Sequence, residues 1–311
     1  MHSNSGDREQ RPDCIVFSNA SVKRGERLIW QHGDFSIPAG SVTAIVGTNG
    51  TGKTTTLKMI NRLIEPDKGN IFINGKDTAE ADRVELRRSI GYVIQQIGLF
   101  PNMTVDQNIT VVPRLLKYDK QKRDEIVHQL LALVNMPYEQ YAHKYPSEMS
   151  GGQQQRIGVL RALAASPPIV LMDEPFGALD PMTRSVLQEE IKKLQKKLNK
   201  TIVFVTHDME EALNLADTII FMEGGRIAQM ASPEEMLRAP ADDLIRGFMG
   251  KHIAGADSVV MTAADFMRSN IFKVQKNRGI LECTECMARN RPLRRYHRKA
   301  GDQHQLHRLP E

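Results

Sequence analysis

The sequence predicts an α/β fold in which helices pack over a mostly parallel sheet, and three observations lead there. Thr43 to Val46, Pro168 to Met172 and Thr201 to Val205 are short, nearly all-apolar runs bounded by polar or turn residues, the pattern of strands buried on both faces. Helical patterns lie between them. Asp124 to Val134 puts Ile126, Val127, Leu130, Leu131 and Val134 on one face, and Pro181 to Leu198 opens with proline and is rich in Lys, Glu and Gln. The first apolar run also leads through a glycine-rich turn into a helical stretch, Thr54 to Leu63. Strands that alternate with helices in this way build α/β domains.

At 311 residues, 41% hydrophobic and 25% charged, the chain can bury a full core, and its length suggests one large domain with a smaller appendage. No apolar run approaches the roughly 18 to 20 residues that span a bilayer. Met1 to Arg11 is polar rather than leader-like. A soluble chain is expected, one that docks on a partner from the cytoplasmic side if it works at a membrane. Cys14, Cys283 and Cys286 are too few and too unevenly spaced for a disulfide framework, which fits a reducing compartment. The net charge of +5 is concentrated from Asn277 onward, where eight basic residues face four acidic ones, a balance of +4. The rest is close to neutral, and no nucleic-acid partner is expected.

Gly47-Thr48-Asn49-Gly50-Thr51-Gly52-Lys53-Thr54 fits G-x-x-x-x-G-K-[ST] between a strand and a helix. Its backbone N–H groups suit the phosphates of ATP, and the helix N-terminus adds partial positive charge. Lys53 is placed to reach the β and γ phosphates, and the Thr54 hydroxyl to ligate Mg²⁺; Thr55 completes the nucleotide-binding set. A glycine-rich turn that merely caps a helix is the alternative, and the strand and helix flanks disfavour it.

Ile169 to Met172 leads into Asp173 and Glu174, adjacent carboxylates where a parallel sheet presents ligands at its carboxyl edge. Burying both unpaired would be costly. Asp173 reads as a Mg²⁺ contact and Glu174 as the base that orients the attacking water; an acid pair capping the next turn is the alternative. His207 follows the run Thr201 to Val205 through Thr206 and reads as a sensor of the γ-phosphate that also bonds Glu174.

Met149-Ser150-Gly151-Gly152-Gln153 followed by Gln154-Gln155-Arg156 resembles the signature loop of ABC ATPases. Ser150, Gly151 and Gly152 open a helix expected over Gln153 to Ala165, which makes a second anion site at a helix N-terminus. The resemblance covers about Ile15 to Arg238. It implies a P-loop NTPase of the ABC type, with a RecA-like core, an antiparallel β subdomain and a helical subdomain over about 102–165. It further implies a head-to-tail homodimer in which each ATP lies between the loop at Lys53 and the partner copy's signature loop. Ala178-Leu179-Asp180 resembles the loop that crosses this interface, with Asp180 its key residue. Gly91 to Pro101 resembles the Q-loop, in which Gln95 would touch Mg²⁺ or the water and the apolar residues after it would meet a permease. Met59 to Pro66 together with Tyr92 to Pro101 is similar to the branch that imports quaternary amine osmoprotectants such as glycine betaine, carnitine and choline. That implies a peripheral subunit on the cytoplasmic face of the membrane, served indirectly by an extracytoplasmic solute-binding protein.

The family usually places an adenine-stacking aromatic where this chain has Arg24; a guanidinium can also stack on a base. Trp30 and Phe17 are alternatives for that role, but burial in the first strands is the reading preferred for both. Residues 1–14 form a polar N-terminus, 15–238 the ATPase domain and 239–258 a linker. Val259 to Arg291 resembles the opening strand and helix of a CBS module, and from Pro292 the match stops. Such a fragment cannot close a core, so the basic tail 292–311 is expected to be disordered or poorly packed, as a truncation or frame change near Arg291 would produce. Cys283 and Cys286 with His297, His304 and His307 leave a zinc site as an alternative. Rival functions are an ABC ATPase for another small solute, a non-transport ABC ATPase and a module that binds ATP without hydrolysing it.

Overall fold

The computed structural model describes residues 12–24, 27–95, 98–177 and 179–249. These lie in the first of two units, Met1–Asp257; the second, Ser258–Glu311, falls outside the described residues, and with it the CBS-like segment, the basic tail and the zinc candidates.

Two sheets divide the strands. In one, β1 (Asp13–Arg24), β2 (Arg27–Pro38), β4 (Lys68–Ile73) and β5 (Lys76–Asp77) are antiparallel in the order β2-β1-β4-β5. The other holds β3 (Val42–Gly47), β6 (Ile90–Val93), β7 (Ile169–Asp173), β8 (Thr201–Thr206), β9 (Thr218–Glu223) and β10 (Arg226–Ala231) in the order β10-β9-β3-β8-β7-β6. All its pairings are parallel except β9 with β10.

The three predicted apolar runs are β3, β8 and β7, neighbours at the centre of this sheet. Both of its faces are covered, which is why the strands are apolar throughout. Ala44, Val46, Val170, Met172, Phe204 and Phe221 point into one core. Ile45, Leu171, Val203, Val205 and Ile220 point into the other, shared with Phe17, Trp30 and Ile37 of the antiparallel sheet. Trp30 is fully buried, edge-on to Phe17 and Phe35. Trp30 and Phe17 are therefore core residues and not adenine platforms.

The helices are α1 (Lys53–Ile60) and α2 (Arg83–Arg88); α3 (Val105–Ile109), α4 (Val111–Leu115), α5 (Lys120–Leu133), α6 (Tyr138–Tyr141) and α7 (Gly151–Leu163); and α8 (Pro181–Leu198), α9 (Met209–Leu215), α10 (Pro233–Arg238) and α11 (Asp243–Met249). Each helix from α3 to α7 falls within 102–165, joined by turns and loops. In α5 the predicted face is the one that packs, with Val127, Leu130 and Leu131 buried.

Three boundaries differ from expectation. α1 stops at Ile60 rather than Leu63 because Arg62 takes a left-handed φ of 54° while its guanidinium donates to the carbonyls of Thr78 and Ala81, each at 2.8 Å. α7 begins at Gly151, so both glycines lie inside the helix, and it ends at Leu163. β1 begins at Asp13, inside the stretch 1–14 expected as a polar N-terminus. The stretch expected as a linker from 239 carries α11, whose Ile245 and Met249 are fully buried in the larger core.

Candidate nucleotide site

Four adjacent parallel strands deliver the candidate residues to one edge of the sheet. β3 ends at Gly47 and runs into the phosphate loop; β7 ends at Asp173, beside Glu174; β8 ends at Thr206, before His207; β6 ends two residues before Gln95. Each strand's carboxyl end faces the same crevice, where open α/β sheets bind ligands.

The phosphate loop is shaped from within. Gly47 has a φ of 150°, and a Cβ there would lie 2.1 Å from the carbonyl oxygen of Met222, so the close pass of β9 admits only glycine. Thr51 Oγ1 donates to the Thr48 carbonyl at 2.9 Å. Lys53 Nζ donates to the carbonyls of Gly47 and Thr48, both at 2.8 Å, which holds the ammonium at the loop. Burial pushes the Lys53 pKa down, against the opposing charges of Glu174 and Asp173. Thr48, Asn49 and Gly50 are exposed at the loop's tip, Thr51 and Gly52 are buried, and Thr54 and Thr55 are half-buried at the start of α1.

Thr54 Oγ1 donates to Asp173 Oδ1 at 2.8 Å. Asp173 is 3% exposed, and burial drives its carboxyl up, with the Thr54 bond and Lys58 opposing and Glu174 adding to the rise. A hydroxyl beside a buried carboxylate is an oxygen donor set that fits Mg²⁺. Tyr92 lies near enough for the Asp173 charge to matter, and its phenol is pushed up to about 12, mainly by burial.

Glu174 turns away from the strand with a left-handed φ of 44°, a conformation that costs a glutamate about 1–3 kcal/mol. Its N–H donates to the Val205 carbonyl at 3.0 Å, which fixes the turn to β8. Gln95 Nε2 donates to its Oε2 at 3.0 Å, and His207 Nδ1 faces Oε1 from 3.6 Å, beyond hydrogen-bond distance. The His207 side chain is 58% exposed. Of the predicted set, Lys53, Thr54, Gln95, Asp173, Glu174 and His207 come together.

Ser150, Gly151, Gly152 and Gln153 open α7 instead. Ser150 Oγ accepts from Gln153 N–H at 3.3 Å, and Gln153 Oε1 accepts from Ser150 N–H at 3.0 Å, a reciprocal cap. Asp180 caps α8 by accepting from the N–H groups of Met182 and Thr183, and the Thr183 hydroxyl, with these backbone bonds, holds its carboxyl below the usual range. Arg24 ends β1; its side chain lies outside the described residues. Sequence reasoning missed Gln155, whose buried Nε2 donates to the Pro175 carbonyl at 2.7 Å and ties α7 to the turn after Glu174. It also missed Arg184, Thr206 and Glu211, which no spacing marks.

The ABC transporter family model matches residues 31–177. The choline transport ATP-binding protein OpuBA of Bacillus subtilis is 54% identical over 281 residues, which cover 89% of this chain and 73% of that protein. The chain belongs to the ABC transporter ATP-binding family. The glycine betaine/carnitine/choline transport ATP-binding protein OpuCA of Bacillus subtilis is 62% identical over 232 residues, covering 75% of this chain. The matched region spans 61% of OpuCA's length. Among solved structures, the dimeric post-hydrolysis ATP-binding cassette MJ0796, bound to ADP and Pi, superposes with a TM-score of 0.62 at 32% identity, covering 70% of this chain and 98% of the cassette. This P-loop ABC fold is the architecture the signature loop led us to expect.

Proposed function

We propose that the chain hydrolyses ATP as the nucleotide-binding subunit of an importer for quaternary amine osmoprotectants such as glycine betaine, carnitine or choline. The observation that carries hydrolysis, beyond binding, is Glu174 held between Gln95 and His207 beside the phosphate loop. Lys53 and the loop's N–H groups take the β and γ phosphates. Glu174 orients a water and draws its proton as the oxygen attacks the γ-phosphorus; the bond to the bridging oxygen breaks and ADP leaves. His207 contacts the γ-phosphate and keeps Glu174 in place. Thr54, with Asp173 and Gln95, would hold Mg²⁺, which supplies charge neutralisation on the phosphates.

The partner copy supplies the rest. Ser150 to Gln153 and Asp180 sit on helix starts that a head-to-tail dimer brings to the other copy's ATP, and the similar cassette MJ0796 is dimeric. After Gln95 the chain exposes Phe100 at 43%, and Arg161 anchors this loop by donating to the Gly98 carbonyl at 2.7 Å. An apolar tip on an anchored loop suits a permease contact. Among the described residues no helix is long and apolar enough to cross a membrane. The likeness to transport ATP-binding proteins supports a peripheral place at the cytoplasmic face, with a solute-binding protein acting through the permease.

Co-expression with the permease and solute-binding components of an osmoprotectant importer tests this directly. Uptake of glycine betaine, carnitine or choline is expected, and it should vanish in Lys53→Ala. Uptake of none of the three, with ATP hydrolysis intact, would overturn the substrate class alone.

A further inference from the structure

We propose that Arg184 is a positioning residue that ties the loop carrying Asp180 to the segment carrying His207; this rests on the ATPase reading above. Arg184 lies in the first turn of α8. Its Nη2 donates to the Leu179 carbonyl at 3.2 Å, one residue before Asp180. Its Nη1 donates to Asp208 Oδ2 at 3.2 Å and lies 3.5 Å from Glu211 Oε1. Glu211, 4% exposed, accepts from Thr206 Oγ1 at 2.5 Å, and that same oxygen accepts from the Asp208 N–H at 3.0 Å. The residues on both sides of His207 are therefore fixed by one network centred on Arg184.

The chemistry requires arginine. Only a planar fork offers separate nitrogens in fixed directions to a carbonyl on one segment and two carboxylates on another. Its Nε is buried without a hydrogen-bond partner among the described residues. Leaving a buried donor unpaired is unfavourable, so the contacts of the other two nitrogens hold the side chain there. The same helical turn touches the signature helix, since a Cβ on Gly152 would lie 2.5 Å from Thr183 Cγ2. A shift of the Asp180 loop at the dimer interface thus reaches His207 through a rigid turn and a fork of hydrogen bonds, without passing through nucleotide.

The test is hydrogen exchange on the full chain together with steady-state kinetics, comparing wild type with Arg184→Met and Arg184→Lys. In Arg184→Met, exchange at 179–180 and at 206–211 is expected to rise together by about tenfold, while 45–57 stays within about twofold. The kcat should fall about ten- to a hundredfold with the KM for ATP within about threefold. Arg184→Lys keeps a charge for Asp208 and Glu211 but has no second nitrogen for Leu179, so it should restore protection at 206–211 and not at 179–180. A rise at only one of the two segments in Arg184→Met, a uniform rise along the chain, or a lysine variant that protects both would overturn the proposal. If Arg184→Met does not fold, the lysine variant decides alone. The exchange arm needs no turnover, so a wild-type chain that fails to hydrolyse ATP would sink the ATPase reading and leave this tie to be judged separately.

Discussion

Gln95 Nε2 donates to Glu174 Oε2 at 3.0 Å, although 79 positions separate the two residues along the chain. The bond joins the end of β6 to the end of β7, the last two strands of the parallel sheet. Glu174 already sits in a left-handed conformation, so its carboxylate depends on neighbours for its direction. Gln95→Ala is expected to lower kcat by about ten- to a hundredfold through misorientation of the proposed base, with nucleotide affinity in the absence of Mg²⁺ near wild type. Phosphate release measured beside equilibrium ATP binding checks both halves.

Gly152 packs against α8, and the proposed anion site at the helix start makes a second demand on it. With Thr183 Cγ2 only 2.5 Å from an added Cβ, Gly152→Ala must turn the Thr183 side chain or shift α7 against α8. Its hydrolysis rate is expected to drop by about tenfold or more, and Thr183→Ser in the same chain, which deletes that methyl, should recover a large part of the loss. If the double variant is no better than Gly152→Ala, the packing contact is not what requires glycine.

Burial pushes the Glu211 carboxyl above its ordinary value of 4.5, against the Thr206 bond. The native state then holds the proton more tightly than the unfolded chain. The stability from this site is whole below the unfolded value and is lost as pH rises through the folded one. Glu211→Gln does not titrate, so its melting temperature relative to wild type should increase from about pH 4 to about pH 7. Thermal unfolding at both pH values reads this, and a flat or falling difference would contradict it.

A Cβ on Gly33 would lie 1.6 Å from Trp30 Cη2, inside the aromatic cluster with Phe17 and Phe35. Gly33→Ala is expected to cost about 1–3 kcal/mol from overpacking, measured by urea unfolding. Phosphate release is expected to track the folded fraction of the variant.

Local pattern carried much of this molecule. β3, β7 and β8 were legible because burial on both faces forces apolar runs, and the residues at their carboxyl ends follow from position alone. Helix ends were less legible: Arg62 leaves α1 because the carbonyls of Thr78 and Ala81 take its guanidinium, a contact the local sequence does not announce. α11 was missed under a composition rich in Ala, Asp and Gly, although Ile245 and Met249 stand four apart, a helical spacing. At the site, the phosphate loop and the acid pair follow compact motifs. The Arg184 network joins side chains 24 residues and more apart in the chain, and no periodicity connects them.

Glu174→Gln tests the central claim most directly. Glutamine keeps the shape and leaves the phosphate loop untouched, but it removes the carboxylate proposed as the base. ATP binding should persist while phosphate release falls by about a hundredfold or more, with the dimer accumulating in its closed form. Near-normal phosphate release from this variant would show that Glu174 is not the base and would contradict the account.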